Sequence, residues 1–228
     1  MSKENTKEGW GGHWGSKDVI KRLKEANTAY PEVVKLLLNL SDENSNCIEL
    51  GCGSGTYAIE LLANNRKCIA SDFSEDALKL TKKRGLKLHN IDVPTQLINI
   101  YNIPYPDNSF DLIFSDGVIE HLDIPKALKE MKRVLKPNGW MIAKVPSGSL
   151  LYRIIFHLLS PIENRPYEAW FCKKDWQKLV VNENYQNVDI SKCGSVLTGF
   201  AMRIHKMKNL LSRLRSIGRI YFLIKAQK

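Results

Sequence analysis

Ile48-Glu49-Leu50-Gly51-Cys52-Gly53-Ser54-Gly55-Thr56 is the stretch on which the reading of this chain turns. An apolar run that ends in alternating glycines and then opens a helical pattern lets backbone N–H groups approach a ligand, because glycine has no Cβ and adopts left-handed dihedrals. A nucleotide-type cofactor is expected there. Residues 53–58 satisfy the loose GxGxxA form of a dinucleotide loop, with Asp72 at the distance of a ribose-binding acid, so a dinucleotide and a single nucleoside compete. Glu49 lies immediately before the loop, where a carboxylate suits a positively charged cofactor and repels a pyrophosphate. Asp72 closes the next apolar run and is followed by Phe73, a carboxylate for ribose hydroxyls beside a hydrophobic cover for a base.

Around this loop, short apolar runs alternate with amphipathic stretches, the pattern of strands joined by crossover helices. Strands are predicted at 47–50, 67–71, 96–100, 110–115, 140–145, 188–191 and 219–225, and helices at 55–64, 75–84, 124–135 and 174–181. The fold class is α/β. Ser74 is placed to cap the second helix, with Glu75 and Asp76 in its positive first turn. Asn138-Gly139 after Pro137 marks a turn before the fifth strand.

Three regions stand outside the alternation. Residues 1–40 form a helical leader, interrupted by Pro31, whose Trp10, His13 and Trp14 can make a flap over the active site. The remaining domain, residues 41–228, carries an apolar helical insert at 149–166 and a second insert at 200–217. In the latter, Phe200, Ile204, Met207, Leu211 and Leu214 recur at helical spacing between Lys and Arg residues.

The chain has 228 residues, 43% hydrophobic and 25% charged, the balance of one well-cored domain rather than a disordered segment. Its net charge of +10 is local, because nine Lys and Arg follow Asp189, the last acidic residue. A basic terminal element of this kind can meet a membrane surface, an anionic substrate or solvent. The apolar stretch 150–159 is broken by Arg153 and His157 and falls short of the roughly 20 residues of a membrane span. Residues 1–9 lack the apolar core of a signal peptide, and five cysteines without a CxxC pair suggest reduced thiols, so a cytoplasmic protein is expected.

Further along, Asn99-Ile100-Tyr101-Asn102-Ile103-Pro104-Tyr105-Pro106-Asp107-Asn108-Ser109-Phe110-Asp111 leads to Ser115, then to Glu120-His121 and Arg133-Val134-Leu135-Lys136-Pro137-Asn138-Gly139. From about residue 47 to 146 the sequence resembles the class I S-adenosylmethionine (SAM)-dependent methyltransferases, and especially the type 11 group. The resemblance implies a Rossmann-like, seven-stranded, mostly parallel sheet with helices on both faces and the last strand antiparallel, with SAM across the carboxyl ends of the first strands. It implies that Glu49, Gly51, Cys52, Gly53 and Gly55 surround the methionine and ribose, that Asp72 takes the ribose hydroxyls, and that Phe73 and Ile100 enclose the adenine. Ser115 would face the sulfonium. Asn99 stands where the family usually has Asp, and its amide oxygen can still accept from the adenine amino group. Asn138 replaces a glycine of the family turn, a position where asparagine tolerates left-handed dihedrals.

His121 is the candidate base should the acceptor be a hydroxyl. Related quinone methyltransferases pair a similar Glu-His with a further acid, where this chain has Gly117, and no metal is expected. The acceptor is expected to be small or lipid-like, with peripheral membrane contact through the basic helix at 200–217. RNA or protein methylation, and noncatalytic SAM binding, are the alternatives. Neither an Asn-Pro-Pro-Tyr motif nor a Pro-Cys nucleophile motif is present, which makes nucleic acid the weaker partner.

Overall fold

Strand β1, Asn46–Leu50, is exposed at its first residue and buried at the next four, a pattern that suits only a strand with neighbours on both edges and cover on both faces. A computed structural model describes residues 29–147, 169–193 and 221–228. The parts of the leader up to residue 28 and both expected inserts, 149–166 and 200–217, lie outside the described residues.

The described chain runs α1 (Pro31–Asn39), β1, α2 (Thr56–Ala63), β2 (Lys67–Asp72), α3 (Glu75–His89), β3 (Thr95–Leu97) and β4 (Phe110–Asp116). A short 3₁₀ turn (Ile119–His121), α4 (Ile124–Val134), β5 (Leu135–Pro146), α5 (Lys173–Asn182), β6 (Gln186–Cys193) and β7 (Tyr221–Gln227) follow. The seven strands form one sheet in the order β3-β2-β1-β4-β5-β7-β6. β1 pairs in parallel with β2 and β4, whereas β7 runs antiparallel between β5 and β6. This is the Rossmann-like sheet expected. The strand order reverses between β1 and β4, so a crevice opens at their carboxyl ends, where α/β sheets bind ligands.

Two apolar layers hold the sheet. Val33 and Leu37 of α1, and Tyr57, Ala58, Ile59 and Leu61 of α2, pack with Cys47, Leu112, Phe114 and Ile142 on one face. Leu128, Met131 and Val134 of α4, and Trp176 and Val180 of α5, pack with Ile48, Ile113, Met141 and Ile224 on the other.

Local chemistry explains where the elements depart from the predicted limits. Pro31 starts α1 instead of interrupting it, a position where its missing N–H has no helical partner to lose. α3 continues past Arg84 to His89 because Gly85 serves close packing: a Cβ there would strike the Val93 side chain. The helix ends one residue later at Asn90, which is left-handed with φ 56°. Ser74 caps α3 as expected, accepting from Ala77 N at 3.4 Å. β3 is three residues long, which leaves Asn99 and Ile100 beyond its end. β5 begins at Leu135, before the expected turn, and its register shifts between the pairs Phe110–Leu135 and Leu112–Trp140. Asn138, with φ 64°, lies inside that shift.

Candidate active site

The loop between β1 and α2 is held by backbone bonds at both ends. Cys52 N donates to Ser71 O on β2 at 2.8 Å, and Gly55 N donates to Cys52 O at 2.7 Å. Gly51 and Gly55 have φ of 69° and 67°, so both need the left-handed region. Neither position has room for a side chain: a Cβ on Gly51 would lie 2.5 Å from Val118 Cγ2, and one on Gly55 would run into Thr81. The loop is thus cradled from the 3₁₀ segment on one side and from α3 on the other.

Asp72, at the carboxyl end of β2, is 4% exposed and ties the loop to the start of α3. Its Oδ2 accepts from Gly53 N and its Oδ1 from Ser74 N, each at 2.9 Å. Burial raises its proton affinity above the ordinary carboxylate range, and these N–H donors oppose the rise. Ile98 N donates to Asp72 O at 2.9 Å, which brings the turn carrying Asn99 and Ile100 beside this carboxylate.

Glu49 is 3% exposed and sits under the loop. Gly55, as the N-cap of α2, has no side chain to offer, and Glu49 Oε2 takes that role by accepting from Ala58 N at 2.8 Å. Burial pushes the Glu49 carboxyl up to about 8; the Ala58 N–H opposes this, and Asp116 adds to it. A buried carboxylate beneath a loop whose Gly51 and Gly55 have no room for a side chain offers an acceptor to a cationic nucleoside, and bringing in positive charge would favour its ionised form.

Of the other expected positions, Phe73 and Ile100 are half-buried, and Ile100 packs against the core. Asn99 is exposed, and its Oδ1 accepts from Tyr101 N at 3.0 Å, so the amide oxygen assigned to the adenine is already engaged locally. Ser115, near the carboxyl end of β4, is 1% exposed, and its Oγ has no hydrogen-bond partner within the described protein. An orphaned buried hydroxyl at this edge fits a cofactor contact. His121 is half-buried at the end of the 3₁₀ segment, its N–H donating to Val118 O at 3.0 Å. Glu120 is buried beside it, and its carbonyl accepts from Ala169 N at 2.8 Å. Among the described residues no three His, Cys, Asp or Glu side chains group as a metal site, and no helix is long and apolar enough to cross a membrane.

Two features escaped the reading of the sequence. Arg84 of α3 is 5% exposed and reaches the back of the loop. Lys144 of β5 is 6% exposed and pairs with Asp116 of β4. Each had a signal: Arg84 falls at the helical spacing of Ala77, Leu80 and Thr81, and Lys144 interrupts the apolar run of β5.

Residues 48–143 match a family model described as a methyltransferase domain, of the type 11 group. An uncharacterised protein of Methanocaldococcus jannaschii is 31% identical over 144 residues, covering 56% of this chain and 60% of that protein. A ubiquinone/menaquinone biosynthesis C-methyltransferase of Rickettsia prowazekii is 34% identical over 128 residues, covering 51% of this chain and 52% of that enzyme. The chain therefore spans about half to three fifths of the length of these curated relatives. A crystal structure of a SAM-dependent methyltransferase from Archaeoglobus fulgidus superposes with a TM-score of 0.68 at 15% identity, over 93% of this chain and 100% of that one, a likeness of fold. The match to the methyltransferase domain model thus lies on this sheet and this glycine loop, in a fold shared with SAM-dependent methyltransferases.

Proposed function

We propose that this protein transfers a methyl group from SAM to a small-molecule or lipid-like acceptor and releases S-adenosylhomocysteine. The observation that carries the reading is the loop at residues 51–55, glycine at every second position, bound to Asp72 on one side and seated on the buried Glu49 on the other. Gly51, Cys52, Gly53 and Gly55 wrap the methionine and ribose, and the remaining lone pairs of Asp72 accept from the ribose hydroxyls. Phe73 and Ile100 enclose the adenine, Asn99 meets its edge, and the Ser115 hydroxyl finds its partner on the sulfonium side. SAM supplies an electrophilic methyl on a cationic sulfur, and the protein's share of the acceleration is alignment of the acceptor and exclusion of water. Where the acceptor is a hydroxyl, an imidazole nitrogen of His121 takes its proton.

The printed name of the Rickettsia relative supports a quinone-type acceptor as the first to try. The basic residues of 200–217 support peripheral membrane contact by a cytoplasmic protein. Calorimetry with SAM, S-adenosylhomocysteine and NAD should show binding of the first two only. Isotopically labelled SAM, incubated with demethylated quinones and with fractionated cell extract, should deliver label to a low-mass product. Dinucleotide binding would overturn the cofactor assignment, and label in RNA or protein would overturn the acceptor class.

A further inference from the structure

Helix α3 does more than cross from β2 to β3: two of its buried residues hold the back of the glycine loop. The Arg84 guanidinium donates through Nη1 to Ser54 O at 2.7 Å and to Thr56 Oγ1 at 3.0 Å. One turn earlier, Thr81 Oγ1 donates to Gly53 O at 3.2 Å and lies 3.6 Å from Cys52 Sγ, while its side chain occupies the space a Cβ on Gly55 would need. Two successive loop carbonyls, of Gly53 and Ser54, are therefore drawn toward α3. In a planar trans peptide the following N–H points the opposite way, so anchoring Gly53 O turns the Ser54 N–H away from α3. Arg84 also places a buried positive charge near Glu49 beneath the same loop. A flexible glycine-rich segment would otherwise lose much conformational freedom on binding a ligand.

We propose that Arg84 and Thr81 are positioning residues that pre-set the loop for its cofactor, so that cofactor affinity is controlled from behind the site by side chains that never touch the ligand. The proposal rests on the SAM-binding reading above for its effect on affinity, and on the loop alone for its effect on mobility. Neither residue belongs to the glycine motif, and both are one helix away from it in sequence.

The test uses the full chain with R84M, R84K and T81V, the last keeping the volume of threonine without its hydroxyl. A control variant, L128A, removes packing from the fully buried Leu128 of α4, on the opposite face of the sheet. Amide hydrogen exchange of the unliganded loop should accelerate about tenfold or more in R84M and T81V beyond the control at matched thermal stability, because lost hydrogen bonds of this kind carry about that factor. The dissociation constant of S-adenosylhomocysteine should rise by a similar factor, with R84K between wild type and R84M. Loop exchange and affinity that follow melting temperature alone, as in L128A, would overturn the buttress. Failure of the wild type to bind S-adenosylhomocysteine would overturn the cofactor reading, while the exchange measurement still decides the role of α3.

Discussion

Lys144 Nζ lies 2.7 Å from Oδ1 of Asp116 and 2.8 Å from its Oδ2, across the register pair that joins β4 to β5. The same ammonium is 4.6 Å from the ring centroids of both Tyr30 and Tyr221, so one cation fastens the start of α1 and the start of β7 to the carboxyl edge of the sheet. Burial lowers its proton affinity, but Asp116 and the tyrosines outweigh this and hold it above the usual lysine range. The partners differ in exposure, 7% for the lysine side chain and 26% for the aspartate. Removing the carboxylate strands a buried charge, whereas removing the ammonium leaves an anion that water can reach. D116N should therefore cost about 3–5 kcal/mol of stability, and K144M clearly less, in urea titrations of each variant.

Glu49 makes stability depend on pH in an unusual direction. Its proton affinity is raised in the folded state, from an ordinary 4.5 to about 8, so between these values the folded chain binds more protons than the unfolded chain. Its contribution is therefore most favourable at acidic pH and declines as pH rises toward about 8. The wild type should lose on the order of a few kcal/mol relative to E49Q across that window. Denaturant titrations of both proteins at several pH values check the slope.

Asp72 uses one oxygen for Gly53 N and the other for Ser74 N. Asparagine can accept through only one side-chain atom, so D72N leaves a buried N–H facing an amide NH₂. The cost should be about 1–3 kcal/mol in thermal unfolding without ligand, and SAM affinity should fall as well.

Gly51 combines a left-handed backbone with contact against Val118. G51A should lose about 1–2 kcal/mol from backbone strain, plus the energy of displacing the valine. Pairing it with V118A should restore the second part and not the first, as a double-mutant cycle in melting experiments would show.

Cys172 is the exposed thiol, while Cys47, Cys52, Cys68 and Cys193 are buried. Burial pushes the Cys47 thiol up to about 12 and Cys52 and Cys68 above their ordinary value, which suppresses the reactive thiolate. A colorimetric disulfide reagent should titrate one thiol quickly in the native protein and all five after denaturation.

The parts of the fold legible in the sequence are those specified locally. The run into Gly51, the Ser74 cap and the carboxylate ending β2 each depend on neighbours within a few residues, and each appears where expected. The end of α3 was misplaced because Gly85 resembles a helix stop, and only its contact with Val93 reveals a packing role. Arg84 and Lys144 were passed over because their partners lie 30 and 28 residues away, on other elements. Family resemblance implied the antiparallel sense of β7 but not its position between β5 and β6, since no local pattern states which strand a late segment joins.

That insertion also orders events on the ribosome. β6 has β7 as its pairing partner among the described strands, and β5 pairs with β7 along the edge away from β4. A nascent polypeptide that has emerged only as far as β6 thus exposes two unsatisfied backbone edges with a vacant slot between them, the kind of surface that recruits holding chaperones. Translation must deliver residues 221–227 before the gap can zip shut.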